Sequence, residues 1–324
     1  AATARSDCIK GRSSGIQRSK AHDSIKKDSV AVGYCSPSGG DFFMVETQPA
    51  HRGSGRFQSM SAWRMIAPLI VACVGLGCDA AGATGRSDAD APAVLLLNAR
   101  WLAQAKASLA SEDAPLRPAL EQLLKEAEEA VMQGPFSVVD KTATPPSGDK
   151  HDYMSVGPYW WPDPAKQDGL PYIRRDGEVN PEYRSADTDG TRIVAMARAV
   201  ETLSLAYYFS GDERWAERAA LLLRTWFVNT ETRMNPHLEY GQAIPGRVLG
   251  RCYGIIETRP LTDVVDAVGL LAGSSAWTRQ DVAAVRQWFR SYLDWLRTSN
   301  LGQQEGRTRN NHATWYDAQV AHFA

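Results

Sequence analysis

Apolar side chains recur every three or four positions from about residue 95 to the end of the chain, a spacing that predicts amphipathic helices. Leu95 is predicted to begin one helix, and a second is predicted from Leu116 to Val131. Further helices are predicted at about 191–209, 213–228, 260–273 and 279–298. No β-rich stretch competes with them, so the pattern predicts an all-α fold. Residues 135–184 interrupt it with many Pro, Gly and Asp and no period.

Turn residues separate several of these helices. Gly211 can take the left-handed conformation that ends a helix, and Asp212 and Thr278 can cap the helices that follow them. Because the linkers are short, neighbouring helices are expected to run antiparallel. Such pairs build either a solenoid or a closed (α/α) toroid, and the lack of a repeat of fixed period in the sequence favours the toroid.

Large and sulfur-containing residues refine the predicted core. Five tryptophans fall at helical positions and are predicted to be mainly core residues: Trp101, Trp215, Trp226, Trp288 and Trp295. Of five cysteines only Cys252 lies within residues 95–324, so neither a disulfide framework nor a cysteine metal site is predicted there. Cys252 is expected to be a small buried apolar residue.

The front of the chain has a different character. Residues 1–59 are rich in Ser, Gly, Lys and Arg without a sustained period, which predicts either a disordered extension or upstream sequence translated in error. Residues 60–84 then have a short positive start, an apolar run of about 12 residues and small residues, as in a secretory signal. That run is shorter than the roughly 20 apolar residues that a membrane-spanning helix needs.

Export follows from this reading of residues 60–84. Cleavage after the small residues 81–83 would release the protein to the periplasm or the medium. Alternatively, Leu76-Gly77-Cys78 resembles a bacterial lipobox, with lipid attachment at Cys78, although Gly75 stands where that pattern prefers Leu. Residues 95–324 are then the folded domain, which is expected to be monomeric.

Charge excludes one class of partner. The formal net charge is -1, with a balance of +4 in residues 1–59 and therefore -5 in the remainder. A mildly acidic body argues against nucleic acid, because phosphate binding needs a basic face. A polyanionic sugar remains compatible with the composition if a few Arg or Lys line a local cleft.

A long aromatic loop is the first candidate for binding. It carries Tyr159, Trp160 and Trp161, followed by Arg174 and Arg175. Long structureless loops in compact domains are usually functional. Aromatic rings can stack on sugar faces, and arginines can pair with carboxylates through two hydrogen bonds. The alternative is that the three aromatic side chains only pin the loop to the body.

A second polar stretch lies between helices. Gln242 and Arg247 there are candidates for binding sugar hydroxyls or a carboxylate. Ordinary hydrogen bonding within a loop would use the same residue types, so the composition of this stretch leaves both alternatives open.

The third candidate is the sequence Asn310-Asn311-His312. Asn310 can be a plain helix cap, and His312 can be a core histidine with satisfied hydrogen bonds. Metal binding is not predicted, because His312 and His322 are ten positions apart and off one helical face. No cofactor is expected either.

Several separated motifs, in the same order, resemble one family. They are Tyr159-Trp160-Trp161-Pro-Asp-Pro164, Trp226-Phe227, Asn235-Pro236 with Gln242-Ala-Ile-Pro-Gly246, and Asn310-Asn311-His312 followed by a small residue, Thr, Trp, Tyr and Asp317. Together they resemble the alginate lyase domain of bacterial polysaccharide lyases over roughly residues 95–324. The resemblance implies an incomplete (α/α) toroid and an acidic polysaccharide substrate, namely alginate or a related polyuronate such as glucuronan.

The resemblance also implies a mechanism, β-elimination, in which the C5 proton of a uronate is removed and negative charge builds on its carboxylate. Neutral donors or cations beside that carboxylate stabilise the transition state. By resemblance Asn311 supplies such a donor. His312 neutralises the carboxylate or accepts the C5 proton, depending on the epimer. Gln242 and Arg247 are implied as substrate-binding residues, with Tyr159, Trp160 and Trp161 as further contacts.

Two other functions fit the sequence less well. A glycoside hydrolase on the same toroid would need two carboxylates across the scissile bond, and no spacing singles out a pair. The available carboxylates are Asp187, Asp189, Glu239 and Glu257. A non-catalytic surface lipoprotein that binds glycans is the other alternative, favoured by the lipobox-like sequence.

The resemblance makes one prediction about the 324-residue chain itself. The family also uses a Tyr, with an Arg nearby, several dozen residues beyond the Asn-His pair, whereas this sequence ends at Ala324. We therefore expect these 324 residues alone to lack that pair and to be inactive. New ultraviolet absorbance from unsaturated uronate in an assay of this chain would contradict the prediction.

Overall fold

The computed structural model describes residues 91–111 and 115–324, and eight α-helices are the main elements of that part of the chain. They are α1 (Ala99–Ser108), α2 (Arg117–Val131), α3 (Gly190–Ser210), α4 (Glu213–Leu223), α5 (Leu261–Leu270), α6 (Arg279–Thr298), α7 (Asn300–Gly306) and α8 (Asn311–Phe323). The predictions for residues 1–59 and 60–84 lie outside the described residues. Within those described, no helix is long and apolar enough to cross a membrane.

Helix α3 lies at the centre of the core. It packs against α2, α4 and α5, and its buried residues include Ile193, Met196 and Val200. Eleven of its 21 residues are buried, more than one face can supply. A helix that is apolar on most sides is one that neighbours cover on most sides. The prediction of a mostly helical fold is confirmed.

Helix ends follow the predicted capping chemistry. Gly211 ends α3 with a φ of 72°, and the Asp212 side chain accepts a hydrogen bond from the Arg214 amide at the start of α4. Thr278 and Asp281 form a reciprocal capping box at the start of α6. The predicted helix at 213–228 is α-helical to Leu223 and continues as a π-helical turn, Arg224–Val228.

The prediction that the first helix begins at Leu95 is wrong. The helix begins at Ala99, where Asn98 caps it by accepting a hydrogen bond from the Trp101 amide. The amides of residues 95, 96 and 97 instead donate to the Asp266 carboxylate of α5, at distances from 2.6 to 3.2 Å. A carboxylate that satisfies three successive amides holds them out of the helix, and periodicity alone cannot reveal that competition.

Four short strands lie in the irregular parts of the chain. They are β1 (Met154–Val156), β2 (Trp160–Trp161), β3 (Ile173–Arg174) and β4 (Tyr240–Ala243). Strand β1 pairs in parallel with β4, and β2 pairs antiparallel with β3. Strands of two to four residues are too short to give a period-two signal, which explains why the sequence did not reveal them.

A buried ion pair anchors the irregular segment to the helical core. The Lys141 ammonium lies 3.1 Å from the Asp189 carboxylate, and both side chains are fully buried. Lys141 also donates to the carbonyls of Val138 and Lys150, and Asp189 accepts from the Met154 amide. Because Asp189 directly precedes α3, strand β1 is held at the beginning of the central helix.

The tryptophan predictions are confirmed for three of the five. Trp215, Trp226 and Trp288 are at most 5% exposed, and Trp295 packs against the core from a partly buried position. The prediction that Trp101 is a core residue is wrong, because its side chain is 46% exposed. It lies in the first turn of α1, whose buried residues are Leu102 and Ala105.

Asp281→Asn should destabilise the fold by about 2 kcal/mol at neutral pH. Asp281 accepts from Arg224 Nε at 2.8 Å and Nη2 at 2.7 Å, and this pair lowers the pKa of Asp281 to about 2. Because the folded-state pKa is depressed, the stabilisation is present above the unfolded value of about 3.9 and is lost as pH falls through about 2.

Urea unfolding at neutral and acidic pH measures this effect. Asp294→Asn, an exposed carboxylate on the same helix, is the matched control and should change the free energy of unfolding little. Equal losses for both variants at neutral pH would contradict the assignment.

Candidate active site

A cavity of about 400 Å³ lies where the aromatic loop, β4 and the start of α8 meet. It brings together six of the residues singled out from the sequence and adds others. The lining residues are Pro158, Tyr159, Trp160, Arg174, Gln242, Arg251, Tyr253, Ile256, Asn310 and His312. Arginines, an imidazole, amides and aromatic rings line it, and none of these residues is a carboxylate.

His312 is oriented by a buried carboxylate. Its Nδ1 lies 2.6 Å from Glu305 Oε1, and the Glu305 side chain is fully buried. With Nδ1 engaged, Nε2 is the ring nitrogen left for a ligand. The ring also meets Tyr253 edge-on, at 4.8 Å between centroids. The imidazole is thus held in one orientation on the cavity wall.

Glu305 also contacts the one cysteine of the domain. Burial raises the pKa of Glu305, and its hydrogen bonds from His312 and Cys252 act in the opposite direction. Burial and then the nearby Glu305 raise the pKa of Cys252 to about 11, so it stays a thiol. The expectation of a buried apolar Cys252 is therefore wrong: the residue is half-buried and bonded to a carboxylate.

The two asparagines before His312 have different positions. Asn310 is the cap of α8, as its sequence position suggests, since its Oδ1 accepts from the His312 amide at 3.0 Å. Asn310 also lines the cavity, whereas Asn311, the first residue of α8, is exposed and is not among the lining residues. The fold therefore brings His312 into the cavity and leaves Asn311 beside it.

Gln242 is held in a strained conformation. It is the one described residue other than glycine with a positive φ, 46°. Its amide donates to Ser155 Oγ at 2.7 Å. Its carbonyl and side-chain oxygens accept from Arg251 Nε and Nη2 at 2.9 and 3.0 Å. Such strain costs about 1–3 kcal/mol and persists where surrounding contacts impose it, commonly at functional sites.

A second buried carboxylate, Glu257, lies behind Gln242. Its Oε2 accepts from Tyr153 at 2.7 Å and from Ser155 at 2.6 Å, and Gln242 and Tyr183 also hydrogen-bond to it. Burial raises the pKa of Glu257, and these four hydrogen bonds favour its ionised form. Glu257 supports the cavity floor without lining it.

The aromatic loop divides into binding and anchoring residues. Tyr159 and Trp160 line the cavity. Trp161 does not: its Nε1 donates to the Glu178 carbonyl at 2.9 Å, and Arg175 lies over its ring at 5.2 Å. Trp161 therefore anchors the loop, as the alternative interpretation of the sequence predicts, whereas Tyr159 and Trp160 face the cavity.

Arg247 is exposed and does not line the cavity. Its Nε donates to the Tyr172 carbonyl at 2.8 Å, and its guanidinium lies 5.5 Å from the Trp160 ring centroid. In the described part of the chain, no group of three or more His, Cys, Asp or Glu is placed to hold a metal ion.

Three polar residues of the site were not singled out from the sequence. Arg251, Tyr253 and Glu305 reach it from segments with no conspicuous motif. Arg251 directly precedes the 3-10 helix Cys252–Thr258, and Tyr253 is the second residue of that helix. Glu305 lies on α7. The available signal in the sequence was the closeness of Arg251 and Tyr253 to the polar stretch that contains Gln242 and Arg247.

Gly254→Ala should destabilise the protein by about 1–3 kcal/mol and disturb the cavity. A Cβ on Gly254 would lie 2.6–2.8 Å from backbone atoms of Gly241 in β4, and backbone cannot move aside as a side chain can. Gly190→Ala is the control, since its Cβ would meet nothing nearer than 3.6 Å. Urea unfolding measures both; a stable Gly254→Ala protein would show that the two backbones are not tightly packed.

Comparison with known proteins identifies the family of this chain. The profile of the alginate lyase family matches residues 137–324, which include every cavity residue. The crystal structure of an alginate lyase from Bacteroides ovatus is 45% identical, with a TM-score of 0.68 over 72% of this chain and 61% of that one. The chain thus spans about three fifths of that protein's length. No curated protein matches. The family match covers more than half of the chain, and the chain belongs to the alginate lyase family.

Proposed function

We propose that this protein is a polysaccharide lyase that cleaves alginate or a related polyuronate by β-elimination and leaves unsaturated uronate ends. Membership of the alginate lyase family supports the reaction class. The observation that carries the proposal is the His312–Glu305 pair, at 2.6 Å, on the wall of a cavity lined without carboxylates.

The cavity suits an acidic sugar. Arg174 and Arg251 provide positive charge, and the rings of Trp160 and Tyr253 provide flat apolar surface. A uronate unit presents the complementary groups, a carboxylate and the apolar face of a pyranose ring. Because the buried carboxylates stand behind the lining residues, they do not repel such a ligand at contact distance.

The same arrangement disfavours a glycoside hydrolase, which would need two carboxylates roughly 5–10 Å apart across the bond. Each carboxylate considered from the sequence is engaged elsewhere. Asp189 pairs with Lys141, Asp187 accepts from Thr142 and Ser185, Glu239 accepts from Trp295, and Glu257 is buried in its hydroxyl cluster. None of the four lines the cavity.

In the proposed reaction the C5–H bond of a uronate breaks and its electron pair forms the C4–C5 double bond. The C5 proton passes to a base, the C4–O bond breaks, and the leaving oxygen takes up a proton from an acid or from water, so that the protons balance. His312, with Glu305 at Nδ1, offers Nε2 to the C5 proton or to the substrate carboxylate. Asn311 is proposed to donate to that carboxylate as charge develops on it. Gln242 is proposed to bind the same unit.

Other features remain proposals of the same kind. The helix pairs are proposed to form an incomplete (α/α) toroid with the cavity at its inner face. We also propose that neighbouring sugar units contact Tyr159 and Trp160. Trp161 and Arg247 are proposed as further contacts outside the cavity lining. Export to the periplasm or the medium, a lipid anchor at Cys78 and a monomeric state rest on the sequence alone.

Protein expressed from its complete gene should produce ultraviolet absorbance from conjugated double bonds when it is incubated with polymannuronate. His312→Ala should abolish this signal. Glu305→Gln should reduce the rate on the order of 100-fold, because a misplaced imidazole loses its alignment with C5.

His322→Ala, at the other end of α8, is the control and should retain the rate. New reducing ends without absorbance would identify a hydrolase instead. Binding of polyuronate without any product would identify a glycan-binding protein.

A further inference from the structure

Arg251 differs from the other arginine that lines the cavity. Arg174 is exposed and pairs with Asp176 at 2.7 Å. The hydrogen bonds of the Arg251 guanidinium go to two neutral oxygens, both of Gln242. Among the residues that the structure describes, no carboxylate lies within salt-bridge distance of Arg251. Its charge is therefore available to an anion in the cavity.

The guanidinium of Arg251 is held in place from several sides. Its Cζ lies 6.0 Å from the Trp160 ring centroid and 5.3 Å from that of Tyr253. The missing side chain of Gly157 makes room for it, since a Cβ there would lie 2.6 Å from Arg251 Nη2. A cation fixed before the ligand arrives loses little conformational freedom on binding.

The backbone of Arg251 is fixed as well. Its amide donates to the Gly241 carbonyl at 2.9 Å, and its carbonyl accepts from the Gly254 amide at 3.0 Å. Strand β4 thus fixes both parts of Arg251. Gly241 binds its main-chain amide, and Gln242 binds its guanidinium. The strained φ of Gln242 is part of this clamp, because it presents the carbonyl oxygen to Arg251 Nε.

Burial makes an anionic ligand favourable here. The guanidinium is partly withdrawn from water, and that burial lowers the pKa of Arg251. Removing a cation from water without a counterion is costly, and an anion that enters the cavity offsets this cost. Two buried carboxylates lie near Arg251, and both already have partners: Glu257 accepts from Tyr153 and Ser155, and Glu305 is hydrogen-bonded to His312.

We propose that Arg251 binds the carboxylate of the uronate unit in the cavity, with the rings of Trp160 and Tyr253 beside the sugar, and that it sets the preference for uronates over neutral hexoses. This inference rests on the proposed function, because it assumes that the cavity takes a polyuronate. It assigns the carboxylate to Arg251 rather than to Arg247, whose Nε is bonded to the Tyr172 carbonyl.

Calorimetric titration with two trisaccharides tests the proposal. The probes are β-1,4-linked trimannuronate and its carboxyl-reduced form, β-1,4-mannotriose. The unmodified protein should bind the uronate more tightly. Arg251→Gln should weaken uronate binding about 10- to 100-fold and leave binding of the neutral trisaccharide nearly unchanged. Arg198→Gln, which removes an exposed arginine of α3, should preserve the preference.

Gly157→Ala is a second variant that keeps every charge. Its methyl group would meet side-chain atoms of Arg251 and Trp160, which can move, so the fold should persist while the guanidinium is displaced. Uronate binding should then fall about tenfold. This variant decides the question if circular dichroism shows that Arg251→Gln does not fold.

The outcomes separate the two proposals. If both cavity variants keep the uronate preference of the unmodified protein, Arg251 does not bind the carboxylate, and the proposed function is unaffected. If the unmodified protein binds neither trisaccharide, or binds both equally, the proposed function fails and this inference fails with it.

Discussion

The cavity depends on one buried carboxylate, Glu257, which joins three segments that are far apart in the sequence. It sits on the 3-10 helix Cys252–Thr258 and accepts from Tyr153 and Ser155 of the β1 region, and Ser155 in turn accepts from the Gln242 amide of β4. Removing one member of this buried network leaves its partners without that hydrogen bond, and each then retains its desolvation cost. The three segments are therefore expected to order as one unit.

The site has a layered distribution of charge. Negative groups, Glu257 and Glu305, are buried behind the surface, and the positive or neutral groups that they position face the cavity. Glu305 orients His312, while Glu257 supports Gln242, which in turn holds Arg251. The layering gives an acidic ligand a positive environment and keeps the functional side chains in fixed orientations.

Much of the helical fold could be predicted from the sequence, because periodicity and capping are local. The boundaries at Gly211 and Thr278 follow from the residues themselves. The start of α1 could not be predicted, because Asp266 competes for its amides from a position about 170 residues away. Trp101 carries the same apolar signal as the buried tryptophans, and the neighbours that would cover it are not encoded locally.

The site was partly predictable for the same reason. His312 and Gln242 stand in motifs that resemble a family, whereas Arg251 and Glu305 reach the site only through contacts between separate segments. The sequence places Trp160 and Trp161 side by side and cannot distinguish them. Alternation along β2 and the carbonyl of Glu178 decide which ring faces the cavity.

The backbone of Gln242 has a consequence for protein engineering. At a φ of 46° a glycine or an asparagine would have less backbone strain than glutamine. Selection for thermal stability alone would therefore favour replacing Gln242. Either replacement would shorten or remove the side chain whose oxygen reaches Arg251. A stabilised library should therefore hold this position constant, since stability gained there would come at the expense of the hydrogen bond that orients Arg251 in the cavity.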